Sequence, residues 1–129
     1  MKPVSQDKFG EEGNCFEACL ASILEISVSE VPVIMKGNWL RTGNHWLKEK
    51  FNLALLAVFL PCLSDPPLPM DGALAILFDV GIFYIVTGKG PRGLDHACVA
   101  YSGKIIHDPF PQGGGLAKEE ESYFLVRLS

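Results

Sequence analysis

The sequence predicts an α+β fold in which N-terminal helices pack on an antiparallel β-sheet. Three observations carry that expectation. Apolar residues at helical spacing are confined to the stretch before Phe51, β-rich runs bounded by turn residues fill the remainder, and Ser102-Gly103 reads as a two-residue hairpin turn. Helices that lead and strands that trail favour a segregated, antiparallel architecture over alternating βαβ units. At 129 residues the chain is the size of one domain spanning 1–129.

Taken in order, the first stretch through Gly13 is polar, with Gly10 and Gly13 marking a loop. Asn14 stands where a helix N-cap is expected, and Glu17 three residues on gives a capping-box-like pair. Phe16, Cys19, Leu20, Ile23 and Leu24 then make one buried stripe, so a helix is expected over 14–25. Ser29 to Pro32 reads as a turn. A second helix is expected from about Asn38 to Lys50, with Trp39, Leu40, Trp46 and Leu47 as its apolar side and His45 on its surface. Gly43 weakens it and allows a later start near Asn44. Strands are expected at Leu53–Leu60, Ala73–Phe78, Ile82–Thr87, Ala97–Tyr101, Lys104–His107 and Tyr123–Leu128, with a proline-rich connection from Pro61 to Pro69. Gly88 to Gly93 and Gly113 to Gly115 read as loops.

Composition excludes several functions. A formal charge of −4 with no lysine or arginine stripe leaves no footprint for nucleic acid. The apolar runs are short or broken, so no membrane insertion is expected. The polar start lacks the apolar core of a signal peptide, which points to a cytoplasmic protein. Four cysteines in a reducing compartment suggest chemistry or metal more than disulfides.

Cys15 is the cysteine to which chemistry attaches. It falls at the first position of the first helix, where unpaired N–H groups and the helix dipole favour a thiolate and could hold an oxyanion. Cys19 lies one turn on, within the apolar stripe, and is expected in the core. His96 opens a strand after the glycine-rich loop and is placed to act as base. Asp108 ends the next strand, one hairpin away, and is placed to orient His96, with Asp95 as a competitor. His107 should face away from Asp108 and is the alternative base.

Asn14-Cys15-Phe16-Glu17-Ala18-Cys19 at a helix start resembles the nucleophile segment of papain-like cysteine peptidases. His96-Ala97-Cys98-Val99-Ala100-Tyr101 followed by Asp108-Pro109 resembles the histidine strand and Asp-Pro segment of that superfamily's compact bacterial branch, which includes the leader-peptidase domains of bacteriocin exporters. The resemblance implies a papain-like fold in minimal form and a Cys15-His96-Asp108 triad acting on a peptide, isopeptide or other amide. It also implies an oxyanion donor upstream of the cysteine. Gln6 is the candidate, though its nine-residue separation from Cys15 is longer than the family's usual spacing.

Substrate contacts are expected from Asn14, Gly93, Leu94 and Asp95. No cofactor or resident metal is expected, and the sequence does not indicate an oligomeric state. The rival chemistry is zinc, bound by Cys15 and Cys19 with His96 and Cys98 or His107. A transglutaminase-like acyl transferase would share the triad, and an inactive papain-like binding protein would keep only the fold.

Overall fold

A computed structural model describes residues 1–33, 37–58 and 81–129. Among these residues two α-helices pack on a five-stranded antiparallel sheet, the α+β arrangement expected. Helix α1 spans Cys15–Leu24 and α2 spans Trp39–Phe51; strands β1 to β5 span Leu53–Val58, Phe83–Lys89, Asp95–Tyr101, Lys104–His107 and Lys118–Arg127. The order across the sheet is β1-β5-β2-β3-β4. The expected strand Ala73–Phe78, the Pro61–Pro69 connection and the end of the Leu53–Leu60 run lie outside the described residues. No helix among the described residues is long and apolar enough to cross a membrane.

Helix α1 begins at Cys15 and ends in a left-handed Glu25, close to the expected limits. Its stripe of Phe16, Cys19 and Leu20 is fully buried against Ile85 of β2 and Ala97 and Val99 of β3. Burying each large apolar side chain is worth about 1.5–3 kcal/mol, so this stripe anchors the Cys15 end of the helix on the sheet. Helix α2 runs through Gly43, which is itself buried, so the later start near Asn44 does not occur. Packing against β1 outweighs the roughly 1 kcal/mol cost of a mid-helix glycine. The opposite sheet face buries Tyr84, Val86, Cys98, Ala100 and Phe124.

Two irregularities in the sheet shape its working end. Strands β3 and β4 are joined by the expected turn, with Ser102 and Gly103 both at positive φ, 51° and 82°. Tyr101 pairs with Lys104 and Ala100 with Ile105, but Val99 then pairs with His107, so Ile106 is an extra residue in β4. That bulge inverts the alternation beyond it. Without it, His107 would share the face of Cys98 and His96; with it, Asp108 does.

The second irregularity lies between β2 and β5. Thr87 pairs with Glu121 and Gly88 with Glu119, leaving Glu120 extra in β5. Strand β2 therefore continues through Gly88 and Lys89, residues expected in a loop, and β5 begins at Lys118, five residues before the expected Tyr123 start. Gly88 sits so close to β5 that an added Cβ would lie 1.9 Å from the Lys118 carbonyl oxygen.

Candidate active site

The N-terminal segment is stitched between α1 and the chain that leaves β4. Val4 N–H donates to Ser22 Oγ at 2.9 Å, His107 Nε2 donates to the Val4 carbonyl at 2.8 Å, and Gln6 N–H donates to the Pro109 carbonyl at 2.9 Å. His107 is thus turned to the helix side of the sheet and, unlike His96, does not line the cleft that holds Cys15. Gln6 is brought to the cleft that holds Cys15 and His96, where the residue is buried. Its Nε2 donates to the Lys8 carbonyl at 2.9 Å, which leaves a second N–H on the same nitrogen.

Asn14 occupies the N-cap position of α1 but makes no side-chain cap bond, so the expected capping box is absent. Its amide instead clamps the upstream loop. Oδ1 accepts from the Asp7 and Lys8 N–H groups at 3.1 and 3.0 Å, and Nδ2 donates to Asp7 Oδ1 at 2.7 Å. The Asn14 side chain is directed to this loop and does not line the cleft. The clamp has a positioning effect: it holds the turn that follows Gln6 against the residue preceding Cys15.

His96 is buried at the start of β3, and Asp108 lies beside it. The His96 Nε2 to Asp108 Oδ1 distance is 2.7 Å. Asp108 also accepts from the Phe110 N–H at 2.9 Å and, through Oδ2, from the Gly115 N–H at 2.8 Å. Burial alone would raise the Asp108 carboxyl, but the bonds from His96, Phe110 and Gly115 outweigh it and hold it below the ordinary carboxylate value. An ionised carboxylate can only accept, so the His96 Nε2 carries the ring proton and Nδ1 is left as the basic nitrogen. Asp95, the competing carboxylate, is exposed and ion-paired with Lys89 at 2.6 Å.

Cys15 is half-buried. Burial pushes its thiol up from the ordinary value, the backbone N–H of Ala97 pulls it down, Glu17 raises it, and the N–H groups of Phe16 and Cys15 itself lower it. The net direction is upward. This runs against the expectation that the helix terminus alone favours a thiolate: desolvation outweighs the N–H groups. The N–H groups of Ala97, Phe16 and Cys15 nevertheless point to the sulfur, beside which the oxygen of an attacked carbonyl would come to lie.

The cleft has a volume of about 750 Å³ and is lined by Gln6, Cys15 and His96 together with Gly93, Leu94 and Asp95. Its aromatic floor is Phe16, Trp39 and Tyr123, with ring centroids 5.3–5.4 Å apart. Trp39, expected as core, does pack on the core but also faces the cleft. On the rim, the Arg92 guanidinium stacks 3.6 Å over the Phe110 ring.

The chain matches no family model, no curated protein and no solved structure.

One further thiol belongs to this neighbourhood. Cys98, fully buried two residues along β3 from His96, has its sulfur within 4.8 Å of both the His96 ring and the Asp108 carboxylate. Burial, then the Asp108 charge and Cys15, push its thiol well up. The zinc set expected from sequence is not assembled: Cys19 is buried in the α1 stripe and His107 is bonded to Val4. The group brought together is His96, Cys98 and Asp108.

Proposed function

We propose that this chain is a thiol-dependent hydrolase of papain-like type, in minimal form, acting on a peptide or other amide. The observation that carries the reading is the 2.7 Å bond from His96 Nε2 to Asp108, beside a cleft that also holds a helix-terminal cysteine and a buried glutamine amide. A base fixed in one tautomer by an ionised carboxylate is what thiol acylation requires.

In this mechanism Cys15 Sγ attacks the amide carbonyl carbon while its proton passes to His96 Nδ1. The tetrahedral oxyanion is held by the Cys15 backbone N–H and the second N–H of Gln6 Nε2. The His96 Nδ1 proton then goes to the departing amine nitrogen, the carbon–nitrogen bond breaks, and a thioester on Cys15 remains. Water, deprotonated by His96, hydrolyses the thioester and restores the thiol. Proton transfer from Cys15 to His96 accompanies attack. Asp108 does not take the proton; it keeps the ring oriented.

An activated ester tests the reading without knowledge of the natural substrate. The full chain treated with p-nitrophenyl acetate should release a burst of nitrophenol and gain one acetyl group on Cys15 by peptide mapping. Cys15→Ala should abolish both. A burst that survives in Cys15→Ala would refute the proposal. Added amine separates the two outcomes of the shared acyl-enzyme: amide product marks an acyl transferase, and acetate alone a hydrolase.

A further inference from the structure

We infer that His96, Cys98 and Asp108 form a binding site for a thiophilic divalent cation of the zinc type, whose occupancy shuts off the base. Three donors of different elements converge there: an imidazole nitrogen, a sulfur and a carboxylate oxygen, all within 4.8 Å of one another. Two features of the fold bring them together. His96 and Cys98 are two apart in β3 and so share a face, and the Ile106 bulge turns Asp108 onto that same face.

The geometry suits a small tetrahedral ion. Bond lengths of about 2.0–2.3 Å place the ligands of such an ion roughly 3.3–3.8 Å apart. The present separations, from 2.7 Å upward to at most 4.8 Å, bracket that range. Side-chain rotations on the order of 1 Å therefore complete three bonds, with water as the fourth ligand. A sulfur and an imidazole favour zinc or cadmium over magnesium or calcium, which seek oxygen. Asp108 is already anchored from behind by the Phe110 and Gly115 N–H groups, the outer support that ligating carboxylates need.

The exchange balances without any oxidant or reductant. The cation takes the place of the Cys98 thiol proton, which leaves to solvent. It also occupies His96 Nε2, whose proton reappears on Nδ1 as the neutral ring changes tautomer. The nitrogen that would deprotonate Cys15 then carries a proton and has no lone pair to offer. The inhibition rests on the hydrolase reading above; the binding does not.

Titration of the reduced full chain with Co²⁺ or Cd²⁺ should give a thiolate-to-metal charge-transfer band in the ultraviolet that saturates at one equivalent. The band should persist in Cys15→Ala and vanish in Cys98→Ala. Should Cys98→Ala fail to fold by circular dichroism, His96→Gln carries the same expectation. Loss of the band in Cys15→Ala, its survival in Cys98→Ala or His96→Gln, or no band in the native chain would each overturn the site. Zn²⁺ at one equivalent should slow acetylation of Cys15 at least tenfold, and Cys98→Ala should relieve that inhibition. A chain that binds the metal but never acetylates would instead sink the hydrolase reading and leave the site standing.

Discussion

Replacing Asp108 by Asn removes one charge and turns one acceptor into a donor at the carboxylate behind His96. The native group accepts from His96 Nε2, Phe110 N–H and Gly115 N–H. If the Asn oxygen faces His96 and Phe110, two charge-assisted bonds become neutral and the Gly115 N–H meets an NH₂ group. At about 1 kcal/mol for each weakened bond and about 1–3 kcal/mol for the orphaned donor, the loss is roughly 3–5 kcal/mol. For a domain of this size that lowers the melting temperature by on the order of 10 °C. If the amide turns over, its NH₂ faces His96 Nε2 and forces the proton to Nδ1, so acetylation of Cys15 should fall about 10²–10⁴-fold. Thermal melts followed by circular dichroism read the first effect, and nitrophenol release reads the second. The pH dependence has a definite sign. Because the folded carboxyl lies below its ordinary value of 3.8, its contribution is present above that value and lost as the pH falls through the folded one. Asp108→Asn should flatten that acid limb. A variant that melts and acetylates like the native chain would refute the bonding assigned to Asp108.

Other residues separate structure from chemistry. Gly88→Ala should destabilise by about 1–3 kcal/mol or more, because its Cβ would strike the β5 backbone 1.9 Å away; a normal melt would contradict the close approach. Gln6→Ala should lower the acetylation rate of folded protein about 10²-fold if its amide holds the oxyanion, beyond the roughly 1 kcal/mol of stability lost with its bond to the Lys8 carbonyl, and an unchanged rate would remove it from that role. His107→Ala should cost about 1–3 kcal/mol through the unpaired Val4 carbonyl, yet leave the acetylation rate of folded protein unchanged. A rate loss there comparable to His96→Ala would reopen the choice of base.

Much of this site was legible in the chain because its signals are local. The stripe behind Cys15 set helix α1, and Ser102-Gly103 announced the hairpin that carries His96 and Asp108 on adjacent strands. What stayed hidden depends on exceptions to alternation. The Ile106 bulge decides whether Asp108 or His107 shares a face with His96, and no spacing rule places such a bulge. The same holds for Glu120, the extra residue in β5, which lies in the stretch from Lys118 that precedes the expected Tyr123 start. Asn14 illustrates a third cause. Its residue type fits a cap, but its partners, Asp7 and Lys8, are reached only because the upstream loop folds back over the helix. The upward shift of the Cys15 thiol was likewise beyond the sequence, since it follows from burial and not from the helix terminus.

The proposed reaction requires that His96 deprotonate Cys15. Its most direct test is the acetylation rate of Cys15, resolved by peptide mapping, in the native chain and in His96→Ala. General-base assistance predicts a fall of about 10²-fold or more, with the acetyl group on Cys15 and on no other cysteine. Equal rates in the two proteins, or an acetyl group carried by another thiol, would contradict it.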